Sequence, residues 1–166
     1  MKKIILYIFP ILAIIAILIL VKINNQSPLD IDNDEKVALE FKPNTIQCPQ
    51  CNMFLVEKEH TAQAITTDNK THFFDDPGCM ILWIEENHKK DDKDIVKWVY
   101  TLDTKKWILA KKAFYSINDK TPMEYGFAAY EKPIKNHIDY DEMRLRMLRG
   151  ENMTNPKIRK KILGHS

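Results

Sequence analysis

Glycine is scarce in this chain. Four glycines in 166 residues leave little for the loops that cradle phosphates, and neither GxxxxGK nor GxGxxG occurs. Nucleotide-driven chemistry is not expected. Charge of one sign is lacking too: 25 basic and 23 acidic residues leave a formal net charge of +2, too little to point to a nucleic acid or another polyanion. Cysteine is limited to three residues. An odd number cannot pair completely, so a free thiol or a metal has to account for the remainder. A c-type haem attachment is excluded, because Asn52 and not histidine follows Cys51.

What is present begins with an unbroken apolar run, Ile4 to Val21, between Lys2-Lys3 and Lys22. It lies at the short end for a bilayer span, which needs about 20 residues. A cleaved secretory signal is the alternative, but no Ala-x-Ala-like site stands near Val21–Gln26, and no cysteine there offers a lipid-modified N-terminus. The expectation is an uncleaved transmembrane anchor over residues 1–22. Basic residues before the run and Asp30, Asp32, Asp34 and Glu35 after it predict a cytoplasmic N-terminus. The remainder then faces the periplasm or its equivalent, held to the inner membrane by a single pass. That compartment is oxidising, so Cys48 and Cys51 are able to form a disulfide there when empty.

Residues 23–44 are polar and acidic and read as a linker. From Thr45 the pattern changes. His60 to Thr67 alternates and pairs with Thr71–Phe74 across Asp68-Asn69-Lys70. Asp76 and Pro77 then predict the start of a helix with Cys79 to Ile84 as its apolar body, fraying at Asn87 to Lys90. Strands follow over Ile95–Thr101, Trp107–Ala110, Ala113–Ile117 and Gly126–Tyr130, with a turn-rich loop at Asn118–Met123. Tyr140–Leu148 reads as a helix, and Gly150 and Pro156 as marks of a frayed tail. The fold class is α+β: a transmembrane helix, then one domain of short antiparallel hairpins with helices over 45–132, then a basic helical extension over 133–166.

Chemistry concentrates in Cys48-Pro49-Gln50-Cys51-Asn52-Met53. Two thiols three apart reach one metal ion from a single turn. Met53 changes the choice of metal, because a thioether suits monovalent copper and not zinc. In an extended segment Cys51 and Met53 leave on the same face. Met123 sits in a polar loop and supplies a second thioether if that loop folds over the motif. Cys79, one turn into the helix, reads most simply as a small buried hydrophobe, and Asp75 and Asp76 as helix caps. His72 is the best histidine candidate; His60, His88, His137 and His165 read as surface residues. The basic residues Arg144, Arg146, Arg149, Lys157, Arg159, Lys160 and Lys161 read as a solvated face and tail, with anionic lipid or an acidic partner as the alternative.

With these residues in view, the chain resembles the NosL family, the accessory proteins of nitrous oxide reductase. The resemblance rests on the Cys48–Met53 motif, on Phe73-Phe74-Asp75-Asp76-Pro77-Gly78-Cys79, and on Thr121 to Tyr130, in order over roughly residues 45–131. It implies an α+β fold with two similar halves and a periplasmic copper(I) chaperone without catalytic turnover. Nitrous oxide reductase and an ABC-type maturation transporter are the partners it implies. Carried over by position, the implied ligands are Cys48, Cys51, Met53 and Met123. Asn52 and Glu124 stand where the family usually has glycine, and the anchor replaces the family's common lipid attachment. Two other readings stay open: a thiol–disulfide oxidoreductase using Cys48 and Cys51, and a structural zinc module of Cys48, Cys51, Cys79 and a histidine.

Overall fold

The computed structural model describes residues 14–15 and 31–164. The run expected to anchor the chain lies outside the described residues, apart from Ile14 and Ile15, which are helical. Among the described residues no helix is long and apolar enough to cross a membrane.

In chain order the elements are β1 (Ile31–Asp32), β2 (Ala62–Ile65), β3 (Lys70–Phe74), α1 (Pro77–Asn87), β4 (Val96–Tyr100), β5 (Trp107–Leu109), a 3-10 turn (Ala110–Lys112), β6 (Phe114–Tyr115), β7 (Ala129–Tyr130), α2 (Tyr140–Leu148) and α3 (Pro156–Ile162). Strands β1-β3-β2-β4-β5 form one antiparallel sheet, and β6 and β7 form a second of two strands. The fold is α+β, as the sequence predicts. The central hairpin closes where Asn69 takes φ +62° and Thr66 N–H donates to Lys70 O at 3.0 Å. Asparagine visits that left-handed region more cheaply than most residues.

The two faces of the sheet are dressed differently. Ala62 lies opposite Phe74 and Val99, and Ala64 opposite His72. Helix α1 covers this face, with Trp83 against Phe74 and His72 at ring separations of 5.5 and 4.4 Å. On the other face Gln63 lies opposite Phe73 and Trp98. Residues 36–41 cross it: the Gln63 amide exchanges two bonds with the Leu39 backbone, Trp98 Nε1 donates to Lys36 O, and Phe41 packs edge-on against Phe73 at 5.7 Å. Gln63 is fully buried, and its paired amide bonds offset the cost of taking it from water.

Helix α1 begins as its sequence dictates. Asp76 caps it by accepting from Gly78 N–H at 2.7 Å, and Pro77 occupies the first turn, where no amide hydrogen is needed. Its entry is crowded. A Cβ on Gly78 would stand 2.4 Å from the Tyr125 ring and 3.0 Å from Met147 Sδ, so only glycine lets the 121–126 loop and α2 close over it. α2 belongs to the same buried cluster through Tyr140, Met143 and Met147.

The segment read as a frayed tail is ordered differently. Asn155 caps α3 by accepting from Lys157 N–H at 3.1 Å, with Pro156 in the first turn. Asn152 and Met153 are buried, and Met153 N–H donates to Tyr125 O at 3.0 Å. Proline here starts a helix because a capping asparagine precedes it. The basic residues of α2 are engaged rather than simply solvated: Arg144 pairs with Glu85 at 3.1 Å and Asp92 at 3.2 Å, and Arg146 with Glu142 at 2.7 Å.

Candidate metal centre

The cysteine motif forms the tip of a tight hairpin. Leu55 N–H donates to Ile46 O at 2.9 Å, Cys48 N–H to Met53 O at 2.8 Å, and Asn52 N–H to Cys48 O at 2.9 Å. The turn requires a left-handed residue, and Asn52 supplies it at φ +62°. Glu124 also lies at positive φ, +56°. Both positions where the chain departs from glycine are therefore ones where glycine would relax the backbone.

Fixing the hairpin aims amide hydrogens at sulfur. The Cys48 sulfur accepts from the backbone of Asp75 and Cys51, and the Cys51 sulfur from Met53 N–H. Such donors stabilise thiolate, the form that binds metal. The hairpin is tied to α1 by Gln50 Nε2, 3.3 Å from a Glu86 carboxylate oxygen.

Four side chains converge at the junction of this hairpin, the end of β3 and the start of α1. Ligand atoms of Cys48, Cys51, Asp75 and Cys79 all lie within 4.8 Å of one another. Cys48 and Cys79 are wholly buried, Asp75 is buried, and Cys51 is half-buried. Cys51 Sγ–H donates to Asp75 Oδ1 at 3.2 Å, while Asp75 Oδ2 is buried with no hydrogen-bond partner. An orphaned buried carboxylate oxygen beside three thiols fits a group that receives a proton or a cation.

The thiols are electrostatically distinct. The Cys79 thiol donates to Cys48, and this bond, the largest influence on each, lowers Cys48 and raises Cys79. Burial lifts Cys79 further and opposes the lowering at Cys48. Cys51 is pushed up to about 12, chiefly by burial, with the charges of Cys48 and Asp75 adding to it. Of the two sealed thiols Cys48 is thus the readier to ionise, and burial disfavours ionisation of the more accessible Cys51.

The structure joins Cys48 and Cys51 to Asp75 and Cys79, two residues whose simplest sequence readings were a cap and a core side chain. Asp76 alone caps the helix. Cys79 is buried as expected, and its sulfur also faces the motif. The contact spans 31 positions from Cys48, so no local pattern marks it; the nearest signal is that a third cysteine opens the helix after two adjacent acids. Met53 is 41% exposed and lines a cavity of about 170 Å³ with Asp75 and Pro122. Met123 is half-buried, in a loop that docks on the helix cap: its N–H lies 3.4 Å from Asp76 Oδ2, and Thr121 also bonds that carboxylate. Asp76 is fully buried, and burial pushes its pKa up to about 7 against the opposing effect of these donors. His72 lies at the far end of α1, against Trp83. Of the histidines read as surface residues, His60, His88 and His137 are half-buried and His165 lies outside the described residues.

No family model matches the chain, and no curated protein does. Among solved structures it is similar to the crystal structure of the copper chaperone NosL from Shewanella denitrificans, at 17% identity and a TM-score of 0.46, over 67% of this chain and 87% of that one.

Proposed function

We propose that this chain is a copper(I) chaperone that holds its cargo at Cys48, Cys51 and Cys79 and releases it through the side opened by Cys51. The convergence of three thiols with one buried carboxylate carries the reading. Copper(I) prefers soft sulfur donors and accepts low coordination numbers. Asp75 is too hard to be a favoured ligand, and its bond to the Cys51 thiol suits it to take the proton that leaves when the metal arrives. Cys48, already the lowest of the three, makes the first bond.

Exposure sets the route of transfer. Cys48 and Cys79 are sealed, whereas Cys51 is half-buried and flanked by Met53, Phe54 at 50% exposure and Val56 at 63%. An acceptor's ligands reach the ion from this side, where the Met53 thioether is an accessible soft donor; Met123 is the second thioether we assign to the rim. The anchoring of residues 1–22, the periplasmic placement, the absence of catalytic turnover and delivery to nitrous oxide reductase beside an ABC-type transporter belong to the same proposal. They are supported by the apolar run, the charge pattern and the family resemblance. The stretch read as a linker, 23–44, is instead part of the folded domain from β1 onward.

One observation favours a second reading. Three thiols and a carboxylate also make a four-donor set for tetrahedral zinc. The oxidoreductase reading is disfavoured, because a redox dithiol presents its low-pKa thiol to the substrate, and here the accessible Cys51 is the raised one. Anaerobic titration of the reduced full chain with copper(I) and zinc separates the two metals. One tightly bound copper ion that displaces zinc, on an apo-protein that is already folded, is the expected result. Zinc retained against copper, or an apo-protein that folds only with zinc, contradicts the chaperone.

A further inference from the structure

A second group of metal-binding side chains stands at the other end of α1. His72 projects from β3 opposite the small Ala64. Trp83 lies over it from the second turn of α1, and the chain folds back at the C-cap, where His88 N–H donates to Ile84 O at 2.8 Å. This turn lays the His88 ring on the same indole. The His72 and His88 centroids lie 4.4 and 4.6 Å from the Trp83 centroid and 6.4 Å from each other. All three side chains are half-buried.

The spacing of the imidazoles suits one ion between them. With metal–nitrogen bonds of about 2.0 Å and about 1.1 Å from ring nitrogen to centroid, a two-coordinate bis-imidazole ion places the centroids about 6.2 Å apart. The three ring separations also put the midpoint of the histidine pair about 3.2 Å from the Trp83 centroid, within the range of a cation–π contact. Ligation uses one nitrogen per ring and leaves the other for the ring's bonds to protein, as metal-bound histidines usually require. Carboxylates on the same helix are engaged elsewhere: Glu85 by Lys89 and Arg144, Glu86 by Gln50. A tetrahedral zinc ion would lack donors here, whereas copper(I) needs no more than two.

We propose that His72 and His88, set on the indole of Trp83, form a second, weaker copper(I) site one helical turn along α1 from Cys79. The identity of the ion rests on the copper reading of the thiol centre, but binding at the imidazoles does not require the thiols. Nitrogen donors hold copper(I) less tightly than thiolates, so this site fills second. Cys79 and Trp83 are four residues apart, about 6 Å along the helix. The half-exposed pair serves as a holding site beside the buried centre.

The test is anaerobic copper(I) titration of the reduced full chain, following bound metal and indole emission, with Trp83→Phe as the reference for the Trp83 signal. The expected result is two ions per chain, with Trp83 emission quenched by the second. His88→Gln and His72→Gln should each weaken that second ion at least about tenfold and leave the first unchanged. Without any substitution, the second equivalent should protect two histidines, His72 and His88, from diethyl pyrocarbonate. A Cys48→Ser/Cys51→Ser chain should lose the tight ion and keep the histidine ion. If it keeps both, the thiol reading falls and the histidine site stands. A single equivalent in the unsubstituted chain, or a second ion that His88→Gln leaves unaltered with no protection of His72 and His88, overturns the proposal.

Discussion

The N-terminal end of α1 is sealed. Asp76, Gly78 and Cys79 have no exposed surface or nearly none, the cap carboxylate receives bonds from Gly78, Thr121 and Met123, and the 121–126 loop and α2 close over it. The C-terminal half of this eleven-residue helix is less enclosed and is held by ring contacts among the half-buried His72, Trp83 and His88. The difference follows from donor chemistry. Thiols tolerate burial because neutral sulfur is only weakly hydrated, and burial then protects them from oxidation. Imidazoles keep access to water. One helix thereby carries an enclosed thiol cluster at one end and a more open imidazole pair at the other.

The neighbouring acids Asp75 and Asp76 show the same division within the buried end. Asp76 is saturated with donors and holds the fold; Asp75 keeps one oxygen unpartnered beside the thiols. Breaking the first should cost most. Asp76→Ala removes the cap and strands buried donors, and should lower stability by about 3 kcal/mol in chemical denaturation. Gly78→Ala should cost about 2 kcal/mol by the same measurement, since the new methyl meets Tyr125 and Met147. Asp75→Asn should change stability by less than about 1 kcal/mol while slowing copper loading in stopped-flow. A loss comparable to that of Asp76→Ala would erase the distinction between the two acids.

Asp76 also predicts a pH dependence. Its folded pKa, about 7, lies above its ordinary value of 3.8, so the folded state binds the proton more tightly than the unfolded one. Its contribution to stability is fully present below pH 3.8 and is lost as pH rises through about 7. Denaturation midpoints measured from pH 4 to 8 should therefore fall more in the unsubstituted chain than in Asp76→Asn.

The smallest effects belong to the hairpin tip and the open end. Asn52→Ala should cost about 1 kcal/mol, because alanine resists the left-handed turn, and Asn52→Gly should stay within about 0.5 kcal/mol. His88→Gln should be nearly neutral for stability in the same denaturation assay, as the cap bond there is made by backbone.

Local signals account for what was legible in the sequence. Asp76-Pro77 marked the start of α1 and the Asn87–Lys90 run its end, because caps and terminal turns are decided within a few residues. Tyr140–Leu148 also reads as a helix in the sequence and is one. Contacts across the chain were not legible. Nothing near Leu39 shows that its backbone pairs with Gln63, and nothing near Cys79 shows that it faces Cys48. The start of α3 was legible but misread: Asn155-Pro156 is a cap followed by a first-turn proline, taken instead as the mark of a frayed end. The histidine pair was invisible for a simpler reason. His72 and His88 stand 16 positions apart, on different elements, and only the turn after α1 brings their rings to one indole.

The most direct test is X-ray absorption at the copper edge of the full chain loaded with one copper(I) ion. A first shell of about three sulfurs near 2.3 Å, reduced by one in Cys79→Ser, is the predicted result. A shell dominated by nitrogen or oxygen, or a spectrum that Cys79→Ser leaves unchanged, would contradict the buried three-thiol centre.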